Sequence, residues 1–127
     1  MKKIILFLLL PVSIIYAQKR DIVYRIGYDS YPANGYFYGV SVLYLRDDYS
    51  YKLSVQKYNS RRMARKNVLR TFDDEYGKWK MSGDTLLLYD NDKKRQQMKF
   101  IKVNNKRIAF LIDDVERSDQ YWRKIKI

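Results

Sequence analysis

Carboxylates, tyrosines and cations are the groups in this chain that could do chemistry, because it contains no histidine and no cysteine. That composition removes the ordinary ligands of zinc and haem and the thiolates that hold iron–sulfur clusters. It also removes the Ser–His and Cys–His pairs that activate a nucleophile. No cofactor is expected. Any acid–base chemistry falls to Asp, Glu, Tyr and Lys.

The carboxylates come in clusters: Asp47-Asp48, Asp73-Asp74-Glu75, and Asp113-Asp114 with Glu116 and Asp119. Two carboxylates facing each other across a cleft could hydrolyse a glycosidic bond, and a set of oxygen ligands could hold calcium. Each cluster, however, falls at a predicted turn, where Asp bonds to its own backbone. None has the spacing of an EF-hand loop. No catalytic or metal-ligating residue is assigned.

The cations are more numerous, with 26 Lys+Arg against 14 Asp+Glu. One basic segment is Arg61-Arg62 with Arg65-Lys66, and others are Lys93-Lys94-Arg95, Lys102 with Lys106-Arg107, and Arg123-Lys124 with Lys126. On a shared face these would make an anion-binding stripe. Scattered, they would keep a β protein soluble and its strand edges unpaired. The most unusual local composition is aromatic: Tyr28, Tyr31, Tyr36, Phe37 and Tyr38 surround Pro32, Asn34, Gly35 and Gly39. Loop tyrosines supply contact area at low entropy cost and stack on sugars or bases. Tyr is equally a strong strand former that could close the end of a small barrel. The candidate ligand-binding residues are therefore Tyr31, Tyr36, Tyr38, Arg61, Arg62, Arg65 and Lys66.

The N-terminus reads as a secretory signal peptide over residues 1–17. Lys2 and Lys3 precede an apolar run from Ile4 to Ile15, and small Ala17 ends it. This is the n-region, h-region and cleavage pattern of export, and the run is short of the roughly 20 residues a spanning helix needs. Export places the product in the periplasm or outside the cell, with no transmembrane anchor in its mature form. Loss of Lys2 and Lys3 takes the net charge from +12 to +10. Residues 18–127 then have the size of one domain, large enough to bury a core without disulfides.

Beyond Gln18 the apolar residues alternate with polar ones, which is the strand period. Short runs are broken by Asn, Asp and Gly at close spacing, the pattern of an all-β chain. Strands are predicted near 21–28, 37–46, 49–57, 67–72, 76–82, 85–90, 95–103, 107–113 and 120–126. Three hairpins can be drawn in register. A two-residue turn at Asp47-Asp48 pairs Tyr44 with Tyr51 and Val42 with Leu53. A turn at Gly83-Asp84, with Gly first as a type II′ turn prefers, pairs Met81 with Leu86 and Trp79 with Leu88. A three-residue loop at Asn104-Asn105-Lys106 pairs Lys102 with Ile108 and Phe100 with Phe110, and keeps Lys102 from facing Arg107. Consecutive hairpins make an antiparallel meander, which closes into a small barrel or folds into a sandwich. One helical candidate, Asn59 to Asn67, could equally be a polar loop.

The segment Tyr76-Gly77-Lys78-Trp79-Lys80-Met81-Ser82-Gly83-Asp84-Thr85-Leu86-Leu87-Leu88 resembles a hairpin of small exported, lipocalin-like β-meander proteins of Bacteroidetes-type bacteria. Tyr49 to Leu53 and Tyr121 to Ile125 fit the same layout, so the resemblance runs over about residues 40–126. It implies a periplasmic or secreted barrel-like domain. Lipocalins proper carry Gly-x-Trp on the first strand, whereas Gly77 and Trp79 lie mid-chain, so no lipocalin ligand pocket is carried over.

The leading functional expectation is a non-catalytic module that binds a ligand or envelope component, with an anionic glycan or lipid surface as partner. A protein-partner or structural envelope role comes next, through an exposed edge strand. A carboxylate-based hydrolase comes third. Nucleic acid is not the expected partner. The export reading has a direct check: N-terminal sequencing of the secreted or periplasmic pool should find a chain beginning near Gln18, and an intact Met1 terminus in the membrane fraction would refute it.

Overall fold

Eight segments of the chain become strands, several of them alternating at period two. The computed structural model describes residues 21–91, 96–112 and 115–125. The strands are β1 (Ile22–Ser30), β2 (Phe37–Leu45), β3 (Ser50–Tyr58), β4 (Thr71–Ser82), β5 (Thr85–Asp90), β6 (Gln96–Asn104), β7 (Arg107–Ile112) and β8 (Val115–Ile125). One short helix, α1 (Arg61–Arg65), lies between β3 and β4. Each strand pairs antiparallel with the next, and β8 returns to β1, so the meander closes into a barrel and not a sandwich. The signal-peptide segment 1–17, the turn expected at Asp113-Asp114, Lys93-Lys94-Arg95 and Lys126 lie outside the described residues.

Eight strands enclose an interior just wide enough for side chains to fill. The inward positions are apolar: Tyr24 on β1, Leu43 and Leu45 on β2, Tyr51 and Leu53 on β3, Leu86 and Leu88 on β5, Phe100 on β6, Ile108 on β7 and Trp122 on β8. Leu43, Leu88 and Phe100 each have 0% exposure. The Phe100 ring meets Trp122 edge-on at 5.2 Å and Phe110 at 5.4 Å, within the range of favourable aromatic pairs.

The Gly83-Asp84 hairpin has the expected register: Met81 faces Leu86, Trp79 faces Leu88 and Lys80 faces Leu87. Gly83 takes the positive φ, 60°, that a type II′ turn places first. The pairs Lys102–Ile108 and Phe100–Phe110 are also as expected. Their turn differs. The strands run on to an Asn104–Arg107 pair, and a register shift after Lys102 absorbs the extra residue. Neither Asn104 nor Asn105 is left-handed. Asn104 instead accepts the Lys106 backbone N–H at 2.8 Å.

The Asp47-Asp48 hairpin is shifted by one residue from expectation. Leu45 faces Tyr51, Leu43 faces Leu53 and Ser41 faces Val55. Its loop holds three residues, closed by Arg46 N–H donating to Ser50 O at 2.9 Å and Tyr49 N–H to Arg46 O at 3.1 Å. Tyr49 has φ 67°, the left-handed conformation that follows a type I turn in three-residue hairpins. A tyrosine there costs about 1–2 kcal/mol, and contacts from β4 offset it. Tyr49 O accepts the Trp79 backbone N–H at 2.9 Å, Trp79 Nε1 donates to Arg46 O at 2.9 Å, and the two rings lie 4.9 Å apart. Alternation could not choose this register, because β2 is apolar on both faces. Gly39 to Leu43 are buried without a break, so a one-residue slip loses no obvious burial.

The outward residues Val23, Val40, Val42 and Tyr58 form a second cluster, against which Met63 and Ala64 of α1 pack. A five-residue helix does not hold itself. Ser60 caps it by accepting the Met63 N–H at 3.2 Å, and Asn67 ends it at φ 58°. The helical reading of 59–67 is thus the one realised.

The acidic run Asp73-Asp74-Glu75, expected as a turn, lies inside the twelve-residue strand β4, so nine predicted strands become eight. The acids face β3, with Asp74 beside Ser54 and its carboxylate 3.9 Å from the Lys52 ammonium. Cross-strand pairing here gives Asp74 Oδ2 the Lys52 ammonium as a partner in place of local backbone bonds, while its Oδ1 is buried without a hydrogen-bond partner. Leu88→Ala should cost about 2–5 kcal/mol in chemical denaturation, as buried leucines do. Met81→Ala, at the exposed end of the same hairpin, should cost less than about 1 kcal/mol.

Candidate functional site

The β1–β2 connection folds around Asp29, a residue that no spacing or motif singled out. Asp29 faces Tyr38 across the hairpin. Between them the chain turns at Pro32 to Gly35, with Gly35 N–H donating to Pro32 O at 3.0 Å and Gly35 at φ 117°. That turn returns Tyr36 so that its hydroxyl donates to Asp29 Oδ1 at 2.7 Å. From 32 residues away, Arg61 at the start of α1 reaches the same carboxylate. Nε donates to Oδ1 at 3.3 Å and Nη2 to Oδ2 at 2.5 Å. The contact is bidentate, the geometry in which guanidinium and carboxylate pair best.

The rings complete the arrangement. The Arg61 guanidinium lies 5.5 Å from the Tyr38 ring centre, and Tyr31 and Tyr36 lie 5.2 Å apart. Tyr38 also lies over Gly27, where any Cβ would meet its hydroxyl. Tyr31, Tyr36, Tyr38 and Arg61 are therefore brought together. Tyr31 is 78% exposed, and Tyr36 and Tyr38 are half-buried. Arg62, Arg65 and Lys66 follow on α1 and its C-terminal cap, all exposed. Their position at the helix C-terminus complements its dipole.

Arg61 holds the Asp29 carboxyl below its ordinary value, first through its hydrogen bond, with the Tyr36 hydrogen bond adding to the effect. The same contact with Asp29 pushes the Tyr36 phenol up and raises Arg61. All three groups keep their neutral-pH charge states, so the cluster is a clamp and not an acid–base centre.

Beside the turn, a groove of about 310 Å³ is lined by Pro32, Asn34, Gly35, Phe37, Lys57 and Arg70 with Thr71. Lys57 lies 4.8 Å over the Phe37 ring. A separate opening holds carboxylates: Glu75 and Asp90 line about 290 Å³ with Tyr51 and Tyr76. Burial, followed by the charges of Glu75 and Asp90, pushes the Tyr51 phenol up, so it stays neutral there. Glu75 is exposed, whereas the general acid of a glycosidase works in a site that excludes water. Among the described residues no group of three acids is placed to hold a metal.

These features define an all-antiparallel eight-stranded meander barrel, consistent with a lipocalin-like fold. No protein-family model, no curated protein and no solved structure matches the chain. The Gly77-x-Trp79 hairpin behind the resemblance has an architectural explanation. Any Cβ at Gly77 would meet the Tyr51 ring and Tyr89 O, and Trp79 ties down the β2–β3 turn.

The clamp has a pH signature. A carboxylate whose folded pKa is depressed adds stability that is fully present above its unfolded value, about 3.9, and lost as pH falls through the folded value. Asp29→Asn should melt below wild type at about pH 6. The two melting temperatures should converge as pH falls through that depressed folded value, where protonated Asp29 resembles Asn.

Proposed function

We propose that the domain is a non-catalytic exported binding module that recognises an acidic glycan through the outer face formed by the β1–β2 loop and α1. The observation that carries this reading is the Asp29 clamp. Tyr36 and Arg61 both bond one carboxylate, so an aromatic loop and a basic helix become one surface. A sugar ring can stack on Tyr31, and its acidic groups can meet Arg62, Arg65 and Lys66.

Two properties of the barrel support an outer site. Leu43, Leu88 and Phe100 are fully buried in its described interior, so side chains take up space that other eight-stranded barrels leave for a small ligand. The outward positions carry Arg25, Lys52, Lys78, Lys80 and Arg123 around an apolar interior. That polarity is the reverse of a membrane-spanning barrel, which is apolar outside. Closure also pairs every strand on two sides, which weakens the reading of a partner added at a free strand edge.

The test is binding to an acidic polysaccharide and a neutral one, titrated with salt. Charge alone gives association that fades as screening shortens to about 8 Å at physiological ionic strength. Tyr31→Ala spares every bond of the clamp. It should weaken acidic-glycan binding at least tenfold, about 1.4 kcal/mol. Neutralising Arg62, Arg65 and Lys66 together should weaken it further, while Arg61 stays in place to hold the loop. If neither change matters, or if all binding vanishes at moderate salt with Tyr31→Ala silent, the reading fails.

A further inference from the structure

The closing seam of the barrel opposes like charges. Arg25 of β1 faces Arg123 of β8, and Arg123 faces Arg107 of β7. All three are exposed. Neighbouring strands lie about 4.8 Å apart, so the three Cα atoms span only about 10 Å. Like charges directly opposite destabilise a sheet, and here two such pairs share one residue.

Lys106 and Lys124 stand next to Arg107 and Arg123 along the chain, tied by Lys124 N–H donating to Lys106 O at 2.7 Å. Lys106, Arg107, Arg123 and Lys124 line a groove of about 290 Å³. Arg107 is held 5.4 Å from the Tyr121 ring centre. None of the five cations forms an ion pair with a described carboxylate, in contrast to Arg61 with Asp29 and Lys52 with Asp74. The groove is therefore a concentration of positive charge whose repulsion an anion would relieve.

A second hollow adjoins it. Pairing between β1 and β8 runs only from Val23 to Arg25. Beyond that point, about 490 Å³ is lined by Ile26, Gly27, Tyr28, Tyr38 and Tyr121 with Ile125, and by Arg25 and Arg123. Arg123 thus borders a purely cationic groove on one side and an aromatic and aliphatic hollow on the other.

We propose that this seam binds an amphiphilic phosphate ester, its phosphate between Lys106, Arg107, Arg123 and Lys124 and its apolar portion in the hollow beyond Arg25. Guanidinium groups match phosphate oxygens in pairs, and Ile26, Ile125 and the tyrosine rings of the mixed hollow supply apolar contact that a bare inorganic ion does not use. The site shares Tyr38 with the clamp but none of the α1 cations, so it stands whether or not α1 binds glycan.

The test is the thermal midpoint of the full mature domain, at constant ionic strength set with chloride. The probes are inorganic phosphate, monomeric dihexanoyl phosphatidic acid, and vesicles with and without phosphatidic acid. A ligand of the folded state raises the midpoint by mass action. Dihexanoyl phosphatidic acid should raise it at concentrations at least tenfold lower than inorganic phosphate. Arg123→Gln removes both like-charge oppositions, so without ligand it should melt no lower than wild type, and its response to the phosphatidic acid should be lost. Neutralising Arg62, Arg65 and Lys66 should leave that response intact. Binding to the vesicles as well would mark the source as a membrane headgroup, and binding to the monomer alone would mark it as a soluble ester; both support the site. An unchanged response in Arg123→Gln overturns the proposal. So does equal potency of inorganic phosphate, which would leave the hollow without a role.

Discussion

Closing eight strands on themselves leaves an interior with room for side chains or at most one small ligand, and here side chains take it up around Phe100. That constraint governs the rest of the molecule. Every strand must commit one face inward, and the inward set from Tyr24 to Trp122 fills the space around Phe100. Large rings need small neighbours in such a space. Tyr51 lies where a Cβ of Gly77 would be, and Tyr28 lies where a Cβ of Gly39 would be. Around Phe100 the described interior is taken up by side chains, and the proposed sites lie on the outside of the barrel and at its seam.

The same filling explains what was legible in the sequence. The period-two stripe identified the meander, and registers were readable wherever one face was clearly wet. In the Gly83-Asp84 hairpin, Lys78 and Lys80 oppose Trp79 in phase, and the glycine marks the turn. In the β2–β3 hairpin both faces are apolar because α1 covers the outer one, so the stripe lost its phase information. The deciding bonds there came from Trp79, more than thirty residues away. The Asp73-Asp74-Glu75 run misled for a related reason. Asp is a turn former when its partner is its own backbone, but a neighbouring strand bearing Ser54 and Lys52 gives it another partner.

The site was legible as composition and not as geometry. Tyrosine density and the Arg61 to Lys66 run marked two stretches of chain that the fold brings together, and neither hinted that one carboxylate joins them. Asp29 carried no signal because a clamp needs only one acid at the end of a strand. Its partner Arg61 is adjacent only once β1, β2 and β3 have paired and α1 has docked on their outer face. Long-range ion pairs of this kind depend on topology, which local spacing does not encode.

The excess positive charge is arranged in two contrasting ways. At the clamp a cation is matched: Asp29 takes Arg61 in a fork, and the pair serves as a fastening between loop and helix. At the seam, cations are opposed to one another, with Arg123 facing an arginine on each side. A sheet seeking only solubility could place its lysines and arginines out of register at no cost. Concentrating them across the three-residue junction that completes the barrel sets repulsion against closure itself. Closure survives because Trp122 and Tyr24, the inward neighbours of Arg123 and Arg25, are both buried in the core. The apolar interior thus holds the seam shut from within, while among the described residues no carboxylate forms an ion pair with Arg25, Arg107 or Arg123. An anion arriving there would strengthen the junction that the interior alone now holds.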